Sequence, residues 1–304
     1  MISPGPGASG PDPDAESSAD ANDGLQTVET VFDALAEVAP QIRAGLPGRR
    51  VSAGTENASG EHQMAADVHA DELLKNRLGE VDGVAEYGSE ERTNPQQVGD
   101  ATGLSVAVDP LDGSSNLQSN NTMGTILTVY DEPLPAPGTA IVAAGYVLYG
   151  PITTMILAMD GQVREEVIDD GRTVVNSNLE IPADPTVYGF GGRVPDWPDS
   201  FAEYAETIET ELKLRYGGSM VGDVTQVLTY GGIFAYPALE SAPDGKLRLQ
   251  FEANPMAYIV ETAGGLSSDG TTSIRDIDPT DLHQRVPVHL GNDTTIRRLE
   301  TALE

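Results

Sequence analysis

Leu25, Val28, Phe32, Leu35, Ala39 and Ile42 recur at intervals of three and four, the spacing that lines one face of an α-helix. Asp23 stands where a cap would sit, and Pro47-Gly48 ends the pattern. Residues 52–63 are small and polar and read as a mobile loop, after which 71–78 resume a helical spacing. The rhythm then shortens to apolar runs at 105–108, 125–130, 141–148 and 153–159, separated by Gly, Pro and Asp turns, which predicts strands of one sheet. Beyond a boundary at 176–185, strands at 187–190, 214–216, 233–236 and 286–290 alternate with helices near 198–212, 220–230 and 254–264. Asn254-Pro255 suits a helix start and Gly264-Gly265 a stop. No internal repeat is present. The pattern predicts an α/β protein of two subdomains, 23–180 and 181–304. Ahead of them, residues 1–22 are too poor in apolar side chains to order themselves and read as a disordered acidic tail.

Composition narrows the function. With 48 acidic against 17 basic residues the net charge is −31, which repels nucleic acid and anionic membrane. Such an excess reads as a solvated surface suited to high salt, where self-repulsion is screened, and so predicts a halophilic source. No apolar run approaches the length of about 18 residues that would cross a bilayer, and residues 1–20 lack the features of a secretory signal. A cytoplasmic protein is expected. The absence of cysteine excludes disulfides, thiolate zinc sites and a thiol nucleophile. The four histidines show no ligand spacing. A metal would therefore be held by oxygen, which favours hard ions such as Mg²⁺, Mn²⁺ or Ca²⁺.

The strongest chemical signal is Asp109-Pro110-Leu111-Asp112-Gly113-Ser114-Ser115-Asn116, directly after an apolar strand. Asp109 and Asp112 flank a turn fixed by proline, so two carboxylates and the Leu111 carbonyl can converge on one or two hard cations. Gly113, Ser114 and Ser115 add N–H and hydroxyl donors at an expected helix start, where a phosphate sharing those cations would be held. An isolated Asp-x-x-Asp-Gly is more often an ordinary turn, but the eight-residue string is far more specific. Upstream, Glu90 and Glu91 are adjacent acids, and Glu61 and Asp67 lie on or near the polar loop.

Four further stretches join that string in a resemblance to class I fructose-1,6-bisphosphatase. They are Leu214-Arg-Tyr-Gly-Gly-Ser-Met-Val-Gly-Asp223, Tyr230-Gly-Gly-Ile-Phe-Ala-Tyr-Pro237, Gly245-Lys-Leu-Arg-Leu-Gln-Phe-Glu-Ala-Asn-Pro-Met-Ala257 and Leu282-His-Gln-Arg-Val-Pro287. The first string is shared by the wider Mg²⁺-dependent, lithium-sensitive phosphatases; the Lys-Leu-Arg block narrows it to sugar bisphosphatases. The resemblance implies a layered αβαβα sugar-phosphatase fold, with two mixed β-sheets sandwiched by helices, and a homo-oligomer, tetramer or dimer.

By position, the resemblance makes Glu90, Glu91, Asp109, Asp112, Glu252 and the Leu111 carbonyl ligands for two or more Mg²⁺ ions per subunit, a role Mn²⁺ could also fill. Asp67 and Glu91 would orient the nucleophilic water, and Glu61 stands where the family has a loop aspartate that closes over the site. Asp112, Gly113, Ser114, Ser115, Tyr216, Ser219, Met220, Tyr236, Lys246 and Arg248 would hold the sugar phosphate, with Arg215 reaching across from a neighbouring subunit. The first subdomain would carry most metal ligands and the second the sugar-phosphate site. The implied reaction is hydrolysis of the 1-phosphate of fructose 1,6-bisphosphate. Alternatives are sedoheptulose 1,7-bisphosphate, a broader sugar or inositol phosphate range, or a non-catalytic sensor of sugar phosphate or metal. Two departures stand out. Gly191 and Val194 occupy positions where the family has an Asn and a Tyr that hold the distal phosphate, and Arg193 is the candidate replacement. The Lys-Tyr pair of the eukaryotic AMP site falls at Gly103-Leu104, so AMP control is not expected.

Overall fold

The computed structural model describes residues 13–56 and 62–304. Residues 1–12 of the expected tail, and Glu61, lie outside them. Among the described residues no helix is long and apolar enough to cross a membrane.

Five layers stack on one another. The outermost is a pair of helices, Pro13–Gly45 and Ala65–Leu78. They cover one face of an eight-stranded sheet whose spatial order runs 171–176, 162–169, 153–159, 141–149, 123–130, 104–112, 84–89 and 96–97. The middle layer holds helices Met220–Tyr230 and Asn254–Thr262. A five-stranded sheet follows, in the order 213–214, 187–190, 232–236, 288–291 and 266–268. Helices Asp199–Glu211 and Asp293–Leu303 close the far side. This is the expected αβαβα arrangement with two mixed sheets.

The layering follows from the two-residue period of the strands, which sends alternate side chains to opposite faces. Val106 and Val108 pack with Phe32, Leu35 and Leu74 of the outer helices. Ala107 between them points the other way, into a core shared with Val224, Val227, Met256 and Ile259 of the middle helices. Phe234 joins that core, whereas its neighbours Ile233 and Ala235 turn outward to Phe201, Ile208 and Leu299. Trp197 is buried edge-on against Phe190 and Phe201, its indole N–H donating 2.8 Å to the Gly191 carbonyl.

Some boundaries move. The first helix begins at Pro13, so 13–22 are helical and Asp23 is an interior residue instead of a cap. Proline is tolerated in a first turn, and the three alanines and one glutamate among residues 14–22 favour the helix, whereas the Asp, Ser and Asn there do not. The stretch read as a mobile loop contains a two-stranded antiparallel ribbon, Ser52–Glu56 with His62–Met64, leading directly into the second helix at Ala65, six residues earlier than the spacing suggested. The strand expected at 214–216 is the short edge Lys213–Leu214.

Candidate metal and phosphate site

In the large sheet, every pairing between neighbouring strands is antiparallel except that of Val84–Ser89 with Leu104–Asp112. Parallel neighbours end at the same edge. Ser89 therefore pairs with Val108, and the Glu90 N–H donates 3.0 Å to the Val108 carbonyl. Two acidic motifs almost twenty residues apart in sequence are delivered side by side. Between Asp109 and Asp112 the register against the Met123–Tyr130 strand slips, and such a bulge bends the strand and re-aims its side chains. The Leu111 N–H donates 2.9 Å to Asp109 Oδ1, and the Thr125 hydroxyl donates 2.9 Å to the Pro110 carbonyl, fixing the turn. Glu252 arrives from a π-helical turn, Leu249–Ala253, whose extra residue per turn places its carboxylate where it accepts 2.7 Å from the Arg248 N–H.

Carboxylate oxygens of Asp109, Asp112 and Glu252 lie within 4.8 Å of one another, all three side chains buried. Burial, with repulsion from Glu90, Asp112 and Glu252, pushes the Asp109 carboxyl well above the ordinary range. Burial lifts Glu252 to about 8, with Glu90 adding repulsion. Glu91 is likewise raised to about 8 by burial and by Glu90, while the Gln63 amide that donates to it pulls the other way. Asp67 is raised to about 6 by burial, opposed by the Met64 N–H it accepts at 2.7 Å, and its Oδ1 is buried with no hydrogen-bond partner. Crowded buried acids that resist ionisation, offering only oxygen donors, fit a hard divalent cation. Glu90 also makes an ion pair, 2.7 Å from the buried Arg248 guanidinium, which places Arg248 behind the acidic cluster.

Asp112 has a second attachment. Its carboxylate accepts from the Ser219 hydroxyl at 2.7 Å and from the Met220 and Val221 N–H groups at 3.1 and 2.8 Å, capping helix Met220–Tyr230. The acidic turn is thereby tied to the segment carrying Arg215, Tyr216, Ser219 and Met220. Gly113, at φ 72°, faces Ser219 so closely that a Cβ would lie 2.6 Å from the serine Cβ, so only glycine fits. The helix start expected after Ser115 is the single turn Asn116–Ser119, so the donors of Gly113, Ser114 and Ser115 belong to a turn and gain little from a helix dipole.

Tyr216 is partly exposed, and burial with the neighbouring Tyr236 phenol raises its hydroxyl to about 12. Lys246, Arg215 and Arg193 stand exposed. Asp223 was not singled out from sequence as a site residue. It is buried and accepts from the Gly217 and Gly218 N–H groups at 2.5 and 3.1 Å, and burial raises it to about 7. Its sequence signal was an acid in the first turn of a helix after Gly-Gly-Ser. Gln63, which fixes Glu91, left no signal. His283 bonds the Arg92 carbonyl at 2.8 Å.

Residues 15–174 match the family model described as fructose-1-6-bisphosphatase, N-terminal domain, and 181–304 match its C-terminal domain. The chain belongs to the fructose-1,6-bisphosphatase family. It is similar to the class 1 fructose-1,6-bisphosphatase of Natronomonas pharaonis, 60 % identical over 278 residues that cover 91 % of this chain and 98 % of that one. The Halobacterium salinarum protein of the same description is 58 % identical over 278 residues, 91 % and 97 % of the two chains. A crystal structure of Leishmania major fructose-1,6-bisphosphatase in holo form matches with a TM-score of 0.82 at 32 % identity, covering 92 % of this chain and 93 % of that one.

Gly191, one departure from the bisphosphatase pattern, has a structural account. A Cβ there would lie 2.2 Å from the Tyr236 ring, so no side chain fits while that ring holds its place. Arg248 also invites a test. Its charge lowers the carboxyl pKa of both Glu91 and Glu252, so Arg248→Met removes that cation and lets those values rise. The acid limb of the activity profile is expected to move up by about one pH unit, read from kcat/KM against pH. An unmoved limb would show that Arg248 does not tune the acids.

Proposed function

We propose that this protein hydrolyses the 1-phosphate of fructose 1,6-bisphosphate to fructose 6-phosphate and phosphate, a gluconeogenic reaction, using Mg²⁺ bound at the acidic cluster. The observation that carries the reading is the buried triad formed by Asp109 and Asp112 at a strand end and Glu252 on its π-turn, in a chain of this family. Glu90, Glu91 and the Leu111 carbonyl complete the ligand set in this reading, with two or more ions per subunit. Bound there, the cations neutralise phosphoryl oxygens and lower the pKa of coordinated water.

The protein's own groups do the rest. Glu91, held by Gln63, and Asp67, held by Met64 N–H, are two fixed carboxylates able to take the proton of an attacking water. Glu61 would close over them. Gly113, Ser114 and Ser115 orient the 1-phosphate, the Ser219–Met220 backbone lines the sugar, and Tyr216, Tyr236, Lys246 and Arg193 receive the distal phosphate. Exposed Leu214, Arg215 and Tyr216 at the edge of the smaller sheet support a homo-oligomer, tetramer or dimer, in which Arg215 serves a neighbour's site. The charge of −31 and the halophilic relatives support a cytoplasm of high salt.

Phosphate release in molar KCl, with and without Mg²⁺, is the test. Mg²⁺-dependent release that favours fructose 1,6-bisphosphate over sedoheptulose 1,7-bisphosphate and inositol 1-phosphate is expected. Preference for another ester would move the substrate; no release from any, by folded protein, would overturn the reading.

A further inference from the structure

The turn 215–219 is held on both sides by side chains that the reaction itself does not use. The Asp223 carboxylate takes the Gly217 N–H at 2.5 Å and the Gly218 N–H at 3.1 Å. On the opposite side of the peptide, the Gly217 carbonyl accepts from Asn116 Nδ2 at 2.9 Å and from Asn121 Nδ2 at 3.3 Å. Asn116 also donates 2.9 Å to the Thr122 carbonyl, so the amides belong to the segment that follows the acidic turn. One peptide unit, between two glycines that cannot hold a conformation by themselves, is thus clamped by an acid below and two amides above. Gly218 sits at φ 76°, a conformation that glycine adopts freely and that needs such an external hold to persist.

We propose that Asp223 is a positioning residue for substrate selection: it fixes the Gly217–Gly218 peptide so that Tyr216 presents its hydroxyl to the phosphate remote from the reacting one in its own subunit, and Arg215 its guanidinium to that of a neighbour. The inference rests on the proposed role of those two residues. Asp223, Arg215 and Tyr216 line one cleft of about 270 Å³, with Asn121 at its other wall, so the clamp and the donors share a cavity. A buried carboxylate that spends both oxygens on backbone N–H groups is committed to geometry and not to proton transfer. The bonds that tie this segment to the carboxylate cluster run to Asp112 from the Ser219 hydroxyl and the Met220 and Val221 N–H groups, and none of them involves the Asp223 side chain. Distant-phosphate binding and cation binding should therefore separate when Asp223 changes.

Asp223→Asn keeps the shape but turns one acceptor into a donor facing an N–H, which releases the peptide. In molar KCl with saturating Mg²⁺, KM for fructose 1,6-bisphosphate is expected to rise about tenfold, the loss of one charge-assisted hydrogen bond. The turnover number and the Mg²⁺ concentration for half activity should stay within about twofold, because no group at the cluster is displaced. A general structural role would lower turnover and metal response together with KM. Asn121→Ala, at an exposed position, should raise KM in the same direction by about threefold. It decides the matter if Asp223→Asn does not fold. An unchanged KM in both variants, or turnover and Mg²⁺ response falling in step with KM, would overturn the proposal. A wild type silent on the bisphosphate would overturn the functional reading and this inference with it.

Discussion

Asp109→Asn should lower phosphate release by about a thousandfold or more, the loss of several kcal/mol of transition-state charge stabilisation, while making the metal-free protein more heat-stable. The two effects have one cause. Asp109 is buried beside Asp112, Glu90 and Glu252, and the repulsion it suffers there holds its carboxyl well above the ordinary range. Asparagine has the same shape and keeps an oxygen for the Leu111 N–H, which Asp109 Oδ1 now accepts at 2.9 Å. The turn should survive, and at alkaline pH, where the raised carboxyls ionise, the repulsion should fall and the melting temperature without Mg²⁺ should rise by about 1.5 °C for each kcal/mol relieved. The stabilising effect of Mg²⁺ should shrink correspondingly. If the variant were less stable without metal, or retained a tenth of wild-type turnover, the acidic cluster would be an architectural feature and the cation site would lie elsewhere.

The second large effect is a pH-dependent coupling of metal to stability. In the folded, metal-free protein Glu91 and Glu252 hold protons up to about pH 8, whereas their ordinary value is 4.5. Between those limits the folded state binds more protons than the unfolded chain. Protonation thus stabilises the fold on the acid side, and this contribution is lost as pH rises through the folded values. Asp67, raised from 3.8 to about 6, acts in the same direction over a lower window. A divalent cation replaces those protons, so Mg²⁺ should matter most where they have left. Saturating Mg²⁺ is expected to raise the melting temperature by about 10 °C at pH 8 and by less than about 3 °C at pH 5.5, measured in molar KCl at constant ionic strength. An equal increment at both pH values would mean that cation and protons do not compete, and the buried acids would not be its ligands.

The molecule divides clearly into what was legible along the chain and what was not. Strands buried on both faces declared themselves as short continuous apolar runs, as at Val106, Ala107 and Val108, and the middle-layer helices by their spacing and glycine stops. The helix start at Pro13 was missed because residues 13–22 carry no apolar periodicity, and the ribbon at 52–64 because short polar strands carry no periodic signal. The Asp109–Asn116 string revealed its chemistry because its residue types are contiguous. Asp223 escaped notice as a site residue because its importance is to a peptide five and six residues upstream, a contact that only the turn before its helix creates.

The sequence by itself determined the class of chemistry: oxygen ligands without sulfur, acids in a fixed turn, donors for phosphate and an αβαβα layering carried by a family resemblance. Only the tertiary structure decided how the acids act together. Glu90 lies beside Asp109 because two strands run parallel where their neighbours do not. Glu252 joins them because a π-turn shifts it into reach, and Asp112 is bound to the far sheet's side through a helix cap. Proximity across such distances along the chain is a property of strand direction and packing, which local residue pattern does not encode.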